Sequence, residues 1–246
     1  MLIVCFDDIH STNSYSKNII TTGNVGSLPD SFVVLANNQS SGIAKYNKEW
    51  NSFAGNLHFS LNTKIDANFL STKNIGIYSL LVGIAIRDTM LLYLKNNVNI
   101  LYKWPNDIII NNAKISGTLI EVAQDRNFNN YLITGVGLNL VQAPIISNYK
   151  TISVLEIENT KINIIDFAKN LVSNIAFYVD NYLEKRSQDI INLWLNNAYG
   201  LNKNIIIKTR NMQATGLFQG LTEEGYIILN NDGTTTIFNV GDVWLL

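Results

Sequence analysis

Lys103-Trp104-Pro105-Asn106-Asp107, followed by Ile108-Ile109-Ile110, Asn111-Asn112 and Lys114-Ile115-Ser116-Gly117-Thr118-Leu119-Ile120-Glu121, reads as a β-hairpin with a polar lip. Pro105 fixes its own φ and pushes Trp104 toward extended backbone. Asn106 and Asp107 can fold back on the local backbone as a turn. The isoleucine run is a buried strand. Asn111-Asn112 is a tight connection, because Asn tolerates positive φ. Gly117 sits inside the returning strand, where a glycine often marks a close approach to the backbone. One hairpin thus offers a cation (Lys103), an amide (Asn106), a carboxylate (Asp107) and a bare backbone patch. Those groups suit a small molecule that carries an anion.

The rest of the composition sets the frame. The chain has 246 residues, 47% of them hydrophobic and 15% charged, which fits one large globular domain or a domain with a small appendage. Its net charge of −1 argues against broad nucleic-acid binding, which needs a basic stripe. Cys5 is the only cysteine, so neither a disulfide nor a cysteine-based metal site can be built. His10 and His58 are far apart and lack a metal-ligand spacing. No metal ligands are readable. The N-terminus lacks a signal-peptide pattern. The longest apolar run, Ile75 to Ile86, meets Arg87-Asp88 too soon to span a bilayer and predicts a buried helix over 74–94. A cytoplasmic setting is the expectation.

Along the chain, Met1–Asp7 reads as a strand, His10-Ser11-Thr12-Asn13 as a helix start and Ser14–Thr21 as the helix. Gly23–Asp30 reads as loop and Ser31–Ala36 as a strand. Asn37–Trp50 is polar, lacks periodicity and reads as a mobile loop. Strands follow over 55–61 and 100–103, the hairpin over 108–123, and a strand over 131–140. Helical patterns cover 164–183 and 187–198. From Lys203 onward, short β runs between regularly spaced glycines predict a small antiparallel barrel, with the boundary near Tyr199-Gly200-Leu201.

Taken together, these stations resemble the biotin protein ligases, or biotin–acetyl-CoA-carboxylase ligases. The residues that carry the resemblance are Ser11-Thr12-Asn13, the loop from Ala36 through Gln39 and Gly42 to Trp50, Gly55-Asn56-Leu57, Lys103 to Asp107, Lys114 with Gly117 to Glu121, Gly135-Val136-Gly137-Leu138-Asn139, and Gly241-Asp242-Val243. They span essentially the whole chain. The resemblance implies an α+β fold. A mixed β-sheet packed with helices, of the class II synthetase-like kind, would cover 1–199, and a small SH3-like β-barrel 200–246. It implies a ligase that joins biotin and MgATP into biotinyl-5′-adenylate, then passes the biotinyl group to a lysine of a carboxylase's carrier domain. ATP, biotin and Mg2+ are the expected small molecules. The family's N-terminal DNA-binding domain is not expected, nor is a membrane partner. The assembly is a monomer or a homodimer.

By the same resemblance, Ser11, Thr12, Asn13, Gln39, Gly42, Ile43, Ala44, Lys45, Lys103 and Gly117 would surround biotin. Lys45, Lys48, Trp50, Asn106 and Asn139 would surround the nucleotide, and Lys103 with Lys45 would serve catalysis. Ser11-Thr12-Asn13 can cap a helix as well, and ordinary core packing is the lesser alternative for Trp50. The family loop reads Gly-Arg-Gly-Arg-x-x-Arg-x-Trp, whereas Gly42-Ile43-Ala44-Lys45-Tyr46-Asn47-Lys48-Glu49-Trp50 keeps charge at two of three arginine positions and a forked donor at none. Two other readings stand beside this one. They are a lipoate–protein ligase, which shares fold and adenylate chemistry, and a non-catalytic biotin-binding protein, suggested by the altered loop.

Overall fold

The computed structural model describes residues 1–23, 29–70, 72–95, 98–183 and 186–246; the predicted loop over 23–30 therefore falls mostly outside the described residues. β1 (Leu2–Ile9) leads into α1 (Thr12–Thr22). β2 (Ser31–Gln39) is followed by the two-residue strands β3 (Gly42–Ile43) and β4 (Glu49–Trp50), with a 3-10 turn at Lys45–Asn47 between them. Then come β5 (Leu57–Ile65), α2 (Thr72–Leu91), β6 (Ile100–Lys103), β7 (Asp107–Ile110), β8 (Ala113–Gln124) and β9 (Asn130–Leu138). Helices α3 (Val154–Glu158), α4 (Ile164–Tyr178) and α5 (Ser187–Leu195) precede β10 (Asn204–Lys208), β11 (Gln213–Leu221), β12 (Ile227–Asn231), β13 (Thr234–Phe238) and β14 (Asp242–Leu245).

The first sheet has seven strands in the order β1-β2-β5-β9-β8-β7-β6. Only β1 and β2 run parallel. Alternation along the strands divides the sheet into two faces. Val33, Leu35, Phe59, Leu61 and Val136 point into the main core with α2 and α4. Phe32, Val34, Tyr131 and Ile133 point the other way and pack with Ile19 and Ile20 of α1. The α1 face is apolar at one end. At the other end the same register brings up His58, Ser60, Gly117, Gly135 and Gly137, and there the cleft forms.

Local chemistry explains the element ends. Ser11 caps α1, its hydroxyl accepting from the Ser14 N–H at 3.4 Å, and Gly23 ends the helix in the left-handed region at φ 61. Asn111 and Asn112 have φ of 52 and 58, the doubly positive turn that the sequence anticipated. The α2 helix runs over Thr72–Leu91, where the sequence predicts 74–94. Its Asn74–Leu91 window is long and apolar enough to cross a membrane by length and composition, yet 61% of it is buried inside the fold, as in a core helix.

Two expectations change. The segment read as an irregular loop over 37–50 is partly regular: β2 continues to Gln39, and Gly42–Ile43 pairs with Glu49–Trp50. The C-terminal strands form an open five-stranded antiparallel sheet, β13-β12-β11-β10-β14, not a closed barrel. β13 and β14 would have to pair to close it. They are instead its two edges, and β14 carries Asp242 and Trp244 to the cleft.

Candidate active site

A cavity of about 370 Å³ opens between the α1 face of the first sheet, the β3–β4 ribbon and β14. Its neutral end is built on the N-terminus of α1. The Gln39 side-chain carbonyl accepts from the Thr12 N–H at 2.8 Å and the Thr12 hydroxyl at 3.2 Å. Ser60 donates to Asn13 Oδ1 at 2.6 Å, or to Thr12 Oγ1 at 2.8 Å. The Asn13 amide donates to Glu121 at 2.9 Å. The floor is stripped of side chains. A Cβ on Gly135 would collide with the Asn13 carboxamide, and one on Gly137 with the Trp50 indole. His58 is buried in the same wall, its Nδ1 facing the Ala36 carbonyl at 3.2 Å, and burial holds its pKa below the usual value.

The other end is cationic. Five lysines (45, 48, 103, 114 and 150) line the cavity against Glu49, Asp107 and Asp242. Lys114 pairs with Asp107 at 2.6 Å. Burial alone would depress Lys114, but the charge and hydrogen bond of Asp107 outweigh it and hold the ammonium above its ordinary pKa. Lys103 lies over the Trp244 ring at 4.7 Å, and burial depresses its pKa despite the pull of Asp107. Lys45 is likewise depressed by burial, against the attraction of Asp242 and Asp107. Lys48 pairs with Asp242 at 3.2 Å. Asn106 is fixed against β8: its amide donates to the Thr118 carbonyl, and its own carbonyl accepts from the Thr118 N–H at 3.0 Å.

The structure thus brings together Ser11, Thr12, Asn13, Gln39, Ile43, Ala44, Lys45, Lys48, Trp50, Lys103, Asn106 and Gly117. Gly42 and Asn139 stand behind the lining. A Cβ on Gly42 would lie 2.6 Å from the Trp50 carbonyl oxygen. Asn139 is buried and its amide donates to the Ile152 carbonyl at 3.2 Å. Sequence reasoning placed Asp107 at the polar lip of the hairpin without a ligand role and assigned no site role to His58, Tyr46, Lys114, Tyr149, Asp242 or Trp244; all of these line the cavity.

Residues 6–139 match the biotin/lipoate A/B protein ligase family, and residues 200–246 match the biotin protein ligase C terminal domain. The chain belongs to the biotin/lipoate A/B protein ligase family. Among relatives of this family, the biotin–[acetyl-CoA-carboxylase] ligase of Paracoccus denitrificans is 25% identical over 216 residues, 86% of this chain and 89% of that one. The biotin protein ligase of Aquifex aeolicus in complex with biotin and ATP superposes with a TM-score of 0.82 at 19% identity, covering 100% of this chain and 98% of that one. The Leishmania major biotin protein ligase in complex with biotinyl-5-AMP superposes with a TM-score of 0.67 at 22% identity, over 97% and 99% of the two chains.

For a ligase of this family, the donor set bears on how a magnesium ion would be held. No cluster of three or more His, Cys, Asp or Glu side chains occurs among the described residues. Asp107 and Asp242 line the cleft, and each is already paired with a lysine. That set fits a metal that arrives on nucleotide phosphates and keeps much of its water, as Mg2+ prefers.

Proposed function

We propose that this protein is an ATP-dependent biotin–protein ligase, with a catalytic unit over 1–199 and a C-terminal unit over 200–246. One observation carries the reading: a neutral, hydrogen-bonding pocket at the α1 N-terminus runs into a lysine-rich compartment across a floor of glycines. An uncharged polar ring, a carboxylate chain and a phosphate would be accommodated in that order.

In the first step a biotin carboxylate oxygen attacks the α-phosphorus of MgATP. The P–O bond to the β-phosphate breaks and pyrophosphate leaves. In the second, a lysine amine of a carboxylase's carrier domain attacks the acyl carbon, and AMP leaves with the bonding pair. Ser11, Thr12, Asn13 and Gln39 hold the ureido ring. Ile43 and Ala44 offer backbone, and Gly42 shapes the ribbon behind them. Lys103 and Lys45 offset the charge where carboxylate and phosphate meet, with Lys114 beside them. Fixed cations in a site closed to water lower that barrier most. Trp50 covers the anhydride, and Lys48, Asn106 and Asn139 support the nucleotide side. The enzyme works in the cytoplasm, as a monomer or homodimer, on a protein and not on DNA or a membrane.

Mass spectrometry of a carrier domain incubated with the protein, biotin and MgATP tests both steps. A gain of one biotinyl group is expected, and no gain together with no pyrophosphate overturns the proposal. Unlabelled lipoate should not displace labelled biotin, because its dithiolane offers nothing to the Ser11–Gln39 end.

A further inference from the structure

The β3–β4 ribbon that roofs the cationic end carries Lys45 and Lys48 but no guanidinium. A guanidinium stands beside it nonetheless. Arg210, at the turn between β10 and β11, places its guanidinium carbon 5.3 Å from the Tyr46 ring centroid. Lys45 Nζ lies 5.3 Å from the centroid of that same ring. Tyr46 is the middle residue of the 3-10 turn at Lys45–Asn47 and holds φ 59, in the left-handed region that a bulky residue seldom adopts. Its hydroxyl is buried with no partner among the described residues. Within the ribbon, the Ala44 N–H donates to the Lys48 carbonyl at 2.7 Å and the Lys48 N–H to the Lys45 carbonyl at 3.2 Å, and contacts from outside add to this closure of a strained turn. Trp50 rests on the first sheet at Gly117 and Gly137, whereas the turn itself is met from the C-terminal sheet, by Arg210 on Tyr46 and Asp242 on Lys48.

We propose that Arg210 is a positioning residue for the ligase reaction: docked on Tyr46, it keeps the ribbon closed and Lys45 turned into the cavity. A ring attracts each cation through its quadrupole. Tyr46 therefore keeps Lys45 and Arg210 near one another when their like charges alone would part them. The intermediate is then retained by a contact between the two sheets. The proposal rests on the adenylating reading of the cleft only for its consequence, since the closure itself can be measured without substrate.

Arg210 is exposed at a turn, so its replacement leaves the fold intact. Amide hydrogen exchange of residues 42–50 in the unliganded protein is the first measurement. Arg210→Ala should speed exchange there and leave β5 and β9 unchanged, with Arg210→Lys in between because it keeps charge but not the planar face. The second is the release of labelled biotinyl-adenylate, which should quicken about fivefold in Arg210→Ala, the scale of an exposed cation–π contact. Pyrophosphate formation at saturating substrates should change less than release does. Tyr46→Ala should match Arg210→Ala, and the double variant should be no worse than either. Equal exchange in wild type and Arg210→Ala overturns the proposal, as does additive loss in the double variant. Absence of pyrophosphate from the wild type would instead overturn the ligase reading, and the exchange result would stand on its own.

Discussion

Lys103 owes its chemistry to its surroundings. Burial depresses its pKa, Asp107 restrains the drop, and the Trp244 ring lies 4.7 Å from its ammonium. Lys103→Ala should lower adenylate formation by about 10²–10³-fold, the scale seen when a fixed charge-stabilising donor is removed; wild-type pyrophosphate release from a folded variant would refute this role. The pH dependence follows from the sign of the shift. Only the protonated amine stabilises charge, and it is lost as pH rises through a folded pKa below the ordinary 10.5. The alkaline limb of pyrophosphate formation should therefore fall below the ordinary lysine range, and Lys103→Arg should move it upward. Ile43, 40% exposed on the ribbon, lines the cleft without a side-chain hydrogen-bond donor. Ile43→Arg should slow biotinyl-adenylate dissociation about tenfold, the worth of one charge-assisted hydrogen bond. Equal dissociation rates would remove position 43 from the ligand site.

Elements were legible where one rule governed them. The apolar period of α2, the isoleucine strand, the Asn111-Asn112 turn and the five C-terminal strands all follow from pattern and turn chemistry. Lys114 was not legible as a site residue, and β8 shows why. Ile109 pairs with Lys114 and Ile108 with Ser116, so Ile115 is an extra residue in the ladder. That bulge turns Lys114 toward the face of Gly117, where its Nζ would lie 3.1 Å from a Cβ. Simple alternation gives no sign of the switch. Asp242 and Trp244 were hidden for another reason: they reach the cleft only through docking of the second sheet, which no local pattern encodes. The ribbon over 42–50 was read as part of a loop over 37–50 because two-residue strands lack a period. It must still admit substrate. Its amide exchange should slow in the presence of biotin and MgATP, and unchanged protection would show that the ribbon does not gate the site.

At the scale of the molecule, the two sheets share one apolar core, in which Ile205, Phe218 and Val243 join Leu80, Tyr102 and Trp194. Their meeting point is narrow and specific. The Trp104 indole N–H donates to the Gly225 carbonyl at 3.0 Å, and a Cβ on Gly76 would run into the Glu224 carbonyl. Gly76→Ala should destabilise the protein by about 1–3 kcal/mol, the usual cost of overpacking, because backbone cannot yield as a side chain can. Thermal unfolding checks the loss, and a Tm unchanged from wild type would mean that the second sheet is free to shift.

The cleft has a wall contributed by β14, and that wall sets an order of events during synthesis. A nascent chain that has released residues 1–199 already contains the residues of the α1 pocket, the glycine floor and Lys103. It lacks Asp242 to pair with Lys48 and Trp244 to cover Lys103. Biotin could enter such a chain, but a mixed anhydride formed there would stand open to water and to any passing amine. β14 follows every other strand of the cleft in chain order, so the wall that covers the reactive compartment is made after the residues it covers.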